Sequence, residues 1–217
     1  MPNWCLNEEI IYGPTKQIKE LYEKMTNWLS TKAALDNPGW LGWIGIGAGM
    51  SIDSNDENNP ETKSKYFYPR GSFLEMPEMG QYDSDTSAIR FASETAWDSI
   101  YDSWDRLLAI HAPLCRYYFM SVEPGNGVYL RRDPMRVLQD GDYYLDSYIY
   151  DEDTCPEELE EVAGDELYWY TDDVKQFLQK LLKSNSDNVE DLVAEFNAKE
   201  TWGNDNYFAF NKIDDIE

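Results

Sequence analysis

Two carboxylates, Glu94 and Glu123, stand at the ends of predicted strands, each beside a turn. Paired carboxyl groups at a defined separation serve hydrolases and transferases, one as general acid and the other as base or nucleophile. Neither a separation nor a shared pocket follows from the sequence, and carboxylates at such positions also cap turns. We interpret both residues as turn-capping groups, with carboxylate catalysis as the alternative hypothesis.

Nucleophilic catalysis has few candidates in this chain. His111 is the single histidine, and it falls on the apolar face of a predicted helix near its C-terminus. A Ser-His-Asp triad would have to use that residue, and no G-x-S-x-G turn is present. Cys115 lies in a predicted strand, where a thiol is more often buried than reactive. We predict structural roles for both residues and assign no catalytic residue.

Neither a cofactor nor a metal ion is predicted. The stretch GIGAGM at 45–50 resembles a dinucleotide-binding loop, but Met50 occupies the position of the last required glycine. The segment 53–64 alternates oxygen-bearing side chains like a calcium loop, but it lacks the required glycine and ends in Ser64 instead of glutamate. The cysteines are too widely spaced for a metal site and predict reduced thiols in a cytoplasmic protein. They are Cys5, Cys115 and Cys155.

The strongest compositional signal is acidity. The 217 residues carry 18 Lys and Arg against 42 Asp and Glu, a net charge of −24 at pH 7. That balance argues against direct binding to nucleic acid or to an anionic membrane, because neutralisation of phosphates supplies most of such affinity. No apolar stretch is long enough to predict a transmembrane helix, and no signal peptide is expected.

Part of this acidity lies in an interval without basic residues, between Arg136 and Lys175. Its fourteen acids are Asp140, Asp142, Asp146, Asp151, Glu152, Asp153, Glu157, Glu158, Glu160, Glu161, Asp165, Glu166, Asp172 and Asp173. Such a run most often forms a solvated face. The sharper hypothesis is that this face docks a basic protein partner; mimicry of DNA is the other, and it requires the charges to be concentrated on one face. Its candidate binding residues are Asp151, Glu152, Asp153, Glu157 and Glu158.

A short group of basic residues follows a glycine-rich turn and consists of Arg131, Arg132 and Arg136. It could hold a phosphate or a partner's carboxylate, although pairing with a nearby acid such as Asp133 is more typical. The candidate binding residues outside the acidic run are Glu94, Trp97, Glu123, Arg131 and Arg132.

Hydrophobic periodicity predicts the elements that position these groups. The first strand has large apolar side chains of one parity, Trp4, Leu6, Ile10 and Tyr12. We predict that this parity is its buried face. Residues 14–33 then have the spacing of an amphipathic helix, and the apolar run 40–48 predicts a buried strand. Residues 66–79 predict irregular structure with a short edge strand.

A second series of elements completes the predicted N-terminal domain. Residues 89–93 alternate as a strand, and Thr95 is a predicted helix N-cap. Strands are predicted at 114–122 and 128–130. The resulting order, β-α-β-β-α-β, is that of the ferredoxin-like split motif, an antiparallel sheet with two helices on one face. Four tryptophans are predicted on core faces, Trp4, Trp28, Trp97 and Trp104.

The C-terminal part predicts a smaller, acidic α+β extension. Residues 143–150 and 166–170 alternate as strands, and Thr171 is a predicted helix cap. A second short helix around 189–196 and a strand at 207–211 follow. We predict domains at 1–135 and 136–217. A shared core is the alternative, because no linker separates the two.

Three stretches together resemble one family. They are the opening Met1-Pro2-Asn3-Trp4-Cys5 followed by Asn7 and Gly13, the sequence FASETAW at 91–97, and VEPGNG at 122–127. This pattern resembles the YubB-like proteins of plasmids and phages over roughly residues 1–130. Plasmid members of that family carry W-G-T-K-W before the second helix, whereas this chain has Glu94-Thr95-Ala96-Trp97.

The resemblance implies a ferredoxin-like domain, a cytoplasmic location and an origin in mobile genetic elements, and it implies no established activity. Together with the acidity, it predicts a non-enzymatic binding or regulatory protein rather than an enzyme. The predicted partner is a basic protein surface, with no direct nucleic-acid contact and no membrane. The alternative is a small carboxylate-dependent hydrolase or transferase. The sequence indicates no oligomeric state.

Overall fold

The computed structural model describes residues 3–138, 141–163, 167–199, 201–203 and 205–216, and the fold is mixed α+β. The chain divides into two compact units. Unit 1 comprises 1–134 with 216–217, and unit 2 comprises Met135–Asp215. Among the described residues, no helix has the length and apolarity needed to cross a bilayer. Met1 and Pro2 of the opening motif lie outside the described residues.

Unit 1 is built on an antiparallel sheet. Its elements are β1 (Trp4–Pro14), α1 (Thr15–Leu29), α2 (Lys32–Asp36), α3 (Gly42–Gly47), β2 (Gly71–Gln81), β3 (Thr86–Ala96), α4 (Tyr101–His111), β4 (Arg116–Glu123) and β5 (Val128–Arg132). Its strands run in the order β2-β3-β1-β4-β5, and each pairs antiparallel with its neighbour. The chain's first strand is therefore an inner one, flanked by β3 and β4.

Both long helices of unit 1 bury side chains in the same cluster as the sheet. The helices contribute Ile18, Leu21 and Met25 from α1, and Trp104, Leu107 and Leu108 from α4. The sheet contributes Ile11, Ile89 and Tyr117, which are register partners and therefore share one face. Burial of these side chains is the main stabilising contribution to the unit.

The predicted buried parity of β1 is wrong. Trp4 is 44% exposed and Leu6 is 52% exposed, although Ile10 on the same parity is fully buried. The side chains that share a face with Ile11 are Cys5, Asn7 and Glu9, all buried. The prediction assumed that apolar residues face the helices. Here the polar residues Asn7 and Glu9 do, and hydrogen bonds with distant strands offset part of the cost of their burial.

Two predicted elements in the first half have a different structure. The apolar run 40–48 is not a strand but contains α3, a short helix packed so closely that a Cβ at Gly45 would lie 2.9 Å from Cβ of Phe67. Residues 66–79 are not mainly irregular, since β2 is a long edge strand whose register shifts between Phe73 and Glu78. An edge position with an irregular register tolerates Pro77.

The second helix begins later than the sequence predicts. Thr95 is not its N-cap but a residue of β3 paired with Cys5, and α4 begins at Tyr101. Trp97 therefore lies outside the helix and is 43% exposed, so its predicted core position is wrong as well. Trp28 packs partly buried against the core, and Trp104 is fully buried.

Unit 2 has its own sheet and its own core. Its elements are β6 (Tyr143–Tyr148), α5 (Glu157–Glu160), β7 (Tyr168–Trp169), α6 (Thr171–Leu182), α7 (Val189–Asn197), β8 (Tyr207–Lys212) and β9 (Asp214–Asp215). Three strands pair antiparallel in the order β7-β6-β8. Leu145, Leu178 and Phe196 are fully buried in its core.

Most predicted elements of unit 2 are present in the structure. The strand at 143–150 and both helices have the predicted type. Of the predicted strand 166–170, Glu166 lies outside the described residues, and Tyr168–Trp169 is a strand. Thr171 is the first helical residue rather than the cap, and its hydroxyl donates to Oδ2 of Asp142 at 2.8 Å.

Candidate functional site

Trp97 has an unusual backbone that is held from both sides. Its φ of +77° is in the left-handed region, which costs a bulky residue about 1–2 kcal/mol. Its N–H donates a 2.9 Å hydrogen bond to the carbonyl of Asn3, and its carbonyl accepts a 3.1 Å bond from Nδ2 of Asn126. Such conformations persist only where the surroundings enforce them, and they cluster at functional sites.

The same place brings together the three stretches that carry the family resemblance. Glu123 caps the turn that follows β4, since Oε1 accepts from the N–H of Gly125 at 3.0 Å and Oε2 accepts from the N–H of Asn126. A Cβ at Gly125 would lie 2.5 Å from Nδ2 of Asn3, so the turn and the opening segment approach closely. We call Asn3, Trp97, Glu123, Gly125 and Asn126 the Trp97 junction.

A buried polar network lies beside this junction and is centred on Asn7. Its Nδ2 donates to Oγ1 of Thr95 at 3.0 Å, and its Oδ1 accepts from Oγ of Ser121 at 2.7 Å. Thr95 in turn donates to the carbonyl of Asp98 at 2.6 Å. The network, Asn7, Ser93, Thr95 and Ser121, is buried and hydrogen-bonded, so it positions three strands rather than offering reactive groups.

Glu9 is a buried carboxyl on the same face of β1. It is 1% exposed, and Oε1 accepts a 2.7 Å hydrogen bond from the hydroxyl of Tyr117. Burial raises the pKa of Glu9 to about 8, and the hydrogen bond from Tyr117 opposes that rise only in part. Burial also raises the pKa of Tyr117 well above its usual value. Because Glu9 lies in the closed core, we assign it a structural role.

A pocket of about 280 Å³ opens beside Trp97. Its aromatic lining residues are Tyr66, Tyr68 and Trp97, and its charged ones are Glu57, Lys63, Asp98, Asp102 and Arg106. The pocket lies between the end of β3 and the start of α4, so the late start of the helix creates it. The sequence does not indicate this site beyond Trp97, because one wall comes from the segment 57–68, predicted as loop or irregular structure, and the other from residues predicted to continue a helix from Thr95.

The carboxylates Glu94 and Glu123 do not form a pair. Leu6 of β1 is the register partner of both Glu94 and Val122, so these three side chains share one face of the sheet. Glu123 is the next residue after Val122 in the strand and therefore points to the opposite face. Glu94 accepts a hydrogen bond from Ser72 at 2.8 Å, and Glu123 caps its turn. These contacts fit the turn-capping interpretation for Glu123 but not for Glu94, which lies within β3 and bonds across to β2, and the two carboxylates do not form a shared reaction centre.

The predicted basic patch is also not formed. Arg131 is 1% exposed, and Arg132, the next strand residue, points to the other face. The Arg132 guanidinium makes a bidentate pair with Asp105, at 2.8 and 2.9 Å, and lies over the ring of Tyr101. Arg136 pairs with Asp142 at 3.0 Å. Arg132 and Arg136 therefore pair with acids, as the sequence favours, and Arg131 is buried.

Unit 2 contains an ordered acidic segment, which we define as Asp151–Glu161. Leu159 anchors it in the core with no exposed surface. Asn206, also fully buried, holds its start: Oδ1 accepts from the N–H of Asp151 at 2.9 Å, and Nδ2 donates to the carbonyl of Asp151 at 2.9 Å. Asp151 itself accepts from the N–H of Asp153 at 3.2 Å. The backbone of this segment is therefore fixed by tertiary contacts.

The acidic segment exposes a group of carboxylates without partners. They are Glu152, Asp153, Glu157, Glu158, Glu160 and Glu161. Within the described ranges, none of these six forms an ion pair. Elsewhere in the predicted run, Asp142 is paired and burial raises the pKa of Asp146. Asp140, Asp165 and Glu166 lie outside the described residues.

The net charge is uneven between the units. Unit 2 holds 22 Asp and Glu against 6 Lys and Arg, a net charge of −16. That is two thirds of the −24 carried by the whole chain, in the smaller unit. A concentration of this kind creates a local potential rather than a uniformly acidic surface.

The remaining sequence motifs have structural explanations. Nε2 of His111 lies 3.0 Å from the carbonyl oxygen of Ala48, and its ring meets Trp28 edge-on. Burial raises the pKa of the Cys115 thiol to about 11, which makes it a poor nucleophile at neutral pH. Asp53 caps its own turn by accepting from the N–H of Asn55. The described residues contain no group of three or more His, Cys, Asp or Glu suited to a metal ion.

Comparisons of the chain with models of protein families, with curated proteins and with solved structures each found no match. The functional conclusions therefore rest on the contacts of the described residues. Among the described residues, the pocket at the Trp97 junction in unit 1 and the acidic segment in unit 2 both offer clustered groups to a ligand.

Proposed function

We propose that this protein is a non-enzymatic binding or regulatory protein whose acidic segment docks a basic surface of a partner protein. The observation that supports this most is the group of six exposed, unpaired carboxylates on a backbone anchored by Leu159 and Asn206. Because the backbone is already ordered, binding would cost less conformational entropy than docking of a disordered acidic tail. Complementary charge would mainly raise the association rate and set specificity.

The sign of the charge favours a protein partner over nucleic acid or an anionic membrane. Both of those carry negative charge and attract basic surfaces. Unit 2, with a net charge of −16, would be repelled by either one. Clustered Lys and Arg on a protein would instead gain from contact with the acidic segment, especially at low ionic strength.

Membership of the YubB-like family and a ferredoxin-like fold for unit 1 are part of the same proposal. The order β2-β3-β1-β4 with antiparallel neighbours, and two helices in one core, support a ferredoxin-like assignment for unit 1. That assignment and the three converging stretches support membership of the YubB-like proteins, with unit 2 as an acidic extension. On this basis the partner would be met in the cytoplasm, in the defence or maintenance of a plasmid or phage.

The alternative, a carboxylate-dependent hydrolase or transferase, has less support. Its two candidate carboxylates, Glu94 and Glu123, point to opposite faces of the sheet and cannot flank one scissile bond. Glu123 is already occupied by two backbone N–H groups. Activity of this class would need a different set of residues.

Paired charge variants of the full chain test the docking proposal. The segment variant combines Glu152→Gln, Asp153→Asn, Glu157→Gln and Glu158→Gln. A matched control neutralises four exposed acids elsewhere in unit 2, Asp172→Asn, Asp191→Asn, Glu195→Gln and Asp214→Asn. Capture from a bacterial lysate at low and moderate salt should yield a basic partner with the wild type and the control. Capture that the segment variant retains in full would contradict the proposal.

A further inference from the structure

We infer that the pocket at the Trp97 junction binds an organic ammonium group, with Trp97, Tyr66 and Tyr68 as its aromatic walls. This site lies entirely in unit 1, and it does not depend on the acidic segment. The inference rests on three independent features of the pocket: its aromatic faces, its charge balance and the enforced position of Trp97.

Packing does not consume the ring of Trp97, and it covers the ring of Tyr68 only in part. In the core of unit 1, Trp104 contacts the rings of Phe67, Phe91 and Tyr117. Among the described residues, none of the three pocket rings is paired with another aromatic ring. Trp97, which is 43% exposed, and the half-buried Tyr68 therefore have ring surface open to a ligand, whereas Tyr66 is 2% exposed and lines the pocket with little accessible surface. Aromatic faces attract ammonium groups through the ring quadrupole, and tryptophan does so most strongly.

The charges of the pocket favour a single positive ligand. Arg106 is held in the wall, where Nε donates to the carbonyl of Tyr66 at 2.9 Å and Nη2 donates to Oγ of Ser103 at 3.2 Å. Its charge is opposed by Asp102, 3.8 Å away. The remaining charged residues of the lining are two acids, Glu57 and Asp98, and one exposed base, Lys63. Together they leave one net negative charge, which a monocation would neutralise.

The tyrosines stay neutral beside such a ligand. Burial raises the pKa of Tyr66 to about 12 and also raises the pKa of Tyr68. Both hydroxyls are therefore uncharged at neutral pH, and they present dipoles rather than charges to the ligand. The hydroxyl of Tyr68 also donates to the carbonyl of Ala96 at 3.4 Å, which ties this wall to the end of β3.

The position of Trp97 is imposed rather than preferred. Glycine would adopt a φ of +77° without strain, yet the chain places its largest side chain there. The indole gains little from burial, since 43% of the residue remains exposed. A hydrogen bond to the carbonyl of Asn3 and one from Nδ2 of Asn126 nevertheless hold its backbone. A strained, clamped and exposed aromatic at the mouth of a pocket is best explained by a ligand that uses the ring.

An anion fits this pocket less well. The N-terminus of α4 faces the pocket and would attract a phosphate on its own. Asp98 and Asp102 stand at that terminus, however, and already complement the helix dipole. At about 280 Å³ the pocket suits one head group, and it is below the usual range for drug-sized ligands.

Isothermal titration calorimetry with choline tests this inference. The control ligand is 3,3-dimethyl-1-butanol, which has the shape of choline but carries no charge, and inorganic phosphate is the anionic control. We expect millimolar or tighter binding of choline and none of either control. Equal binding of choline and its neutral analogue, binding of phosphate alone, or no binding of choline at millimolar concentration would overturn the inference.

Two variants of the full chain assign the site. Trp97→Gly removes the ring while relieving the backbone strain, so it keeps the fold and should weaken choline binding about three- to thirtyfold. Glu57→Gln should also weaken binding, whereas Glu75→Gln, on the exposed edge strand, should not. Unchanged affinity in a folded Trp97→Gly variant would place the ligand elsewhere. Thermal unfolding of each variant confirms that the fold is intact.

The ammonium group has two sources, a free small molecule or a lysine side chain of a protein. Trimethyllysine as the free amino acid and within a short peptide distinguishes them in the same titration. Tighter binding of the peptide indicates a protein side chain, and equal binding indicates a small molecule. Failure of both to bind would count against the site in the same way as failure of choline.

Discussion

Oγ of Ser121 donates a 2.7 Å hydrogen bond to Oδ1 of Asn7, across 114 residues of sequence. On its other side, Nδ2 of Asn7 donates to Thr95, a residue of β3. One buried side chain thus connects the three inner strands of unit 1. Thr95 extends the connection to the carbonyl of Asp98, at the edge of the pocket.

This connection predicts a large cost for truncation of Asn7. Asn7→Ala should lower the free energy of unfolding by about 1–3 kcal/mol, because it removes the acceptor of the buried Ser121 hydroxyl and the donor to Oγ1 of Thr95. Urea denaturation measures the loss. Asn27→Ala, on the exposed face of α1, is the matched control and should change stability by less than about 0.5 kcal/mol. Equal effects at the two positions would contradict the role of Asn7.

The raised pKa of the buried Glu9 carboxyl predicts that the stability of the protein depends on pH. Its pKa is about 8 in the folded protein and 4.5 as the reference, so the folded state binds the proton more tightly. The contribution of Glu9 to the free energy of unfolding is therefore complete below about pH 4.5. It falls as the pH rises and is lost above about pH 8. Within that window the loss approaches about 1.4 kcal/mol per pH unit.

Glu9→Gln isolates this effect, because it keeps the shape and removes the titration. Urea denaturation from pH 5 to pH 9 should show the variant gaining on the wild type as pH rises. Glu75→Gln, in an exposed position, controls for the loss of one acidic residue. A constant difference between Glu9→Gln and wild type across this range would show that Glu9 is charged in the fold.

The backbone of Trp97 predicts an inverted order of alanine and glycine. At φ +77° Trp97→Gly should be more stable than Trp97→Ala by about 1 kcal/mol, because only glycine adopts this conformation freely. At Lys24, exposed in α1, the same two substitutions should have the opposite order by about 1 kcal/mol. Thermal unfolding compares the four variants. Alanine more stable than glycine at both positions would contradict the left-handed geometry.

The contacts of the Arg132 guanidinium predict that lysine cannot replace it without a loss of stability. The guanidinium binds Asp105 with two nitrogens and lies over the rings of Tyr101 and Phe119, at 5.1 and 5.5 Å from their centroids. Arg132→Lys should lower the free energy of unfolding by about 1 kcal/mol, since lysine lacks the planar fork. Arg116→Lys, at an exposed site on β4, should change it by less than about 0.5 kcal/mol.

Periodicity predicts the helices of this protein better than its first strand. The stripes of α1 and α4 face the core as expected, because helix amphipathicity depends on many residues. In β1 the face turned toward the helices carries Asn7 and Glu9, whose partners are Ser93, Thr95, Ser121 and Tyr117. Those partners lie 86 or more residues away, so the sequence alone offers no reason to bury the polar parity.

The candidate sites follow a similar division. The acidic run was visible from the charge pattern, because spacing along the chain is enough to find it. The Trp97 junction required the register of three strands and a late start of α4, neither of which local residue types determine. Thr95 illustrates the difficulty, since its residue type suits a helix cap and its tertiary partners place it in β3.

The most direct test of the docking proposal is the salt dependence of partner affinity. The dissociation constant of the purified partner should be measured against ionic strength for wild type, the segment variant and the matched control. Docking through Glu152, Asp153, Glu157 and Glu158 predicts weaker binding and a flatter salt dependence in the segment variant alone, because fewer charges are then screened. Equal dissociation constants for wild type, segment variant and matched control, or dissociation constants that do not change with ionic strength, would contradict the docking proposal.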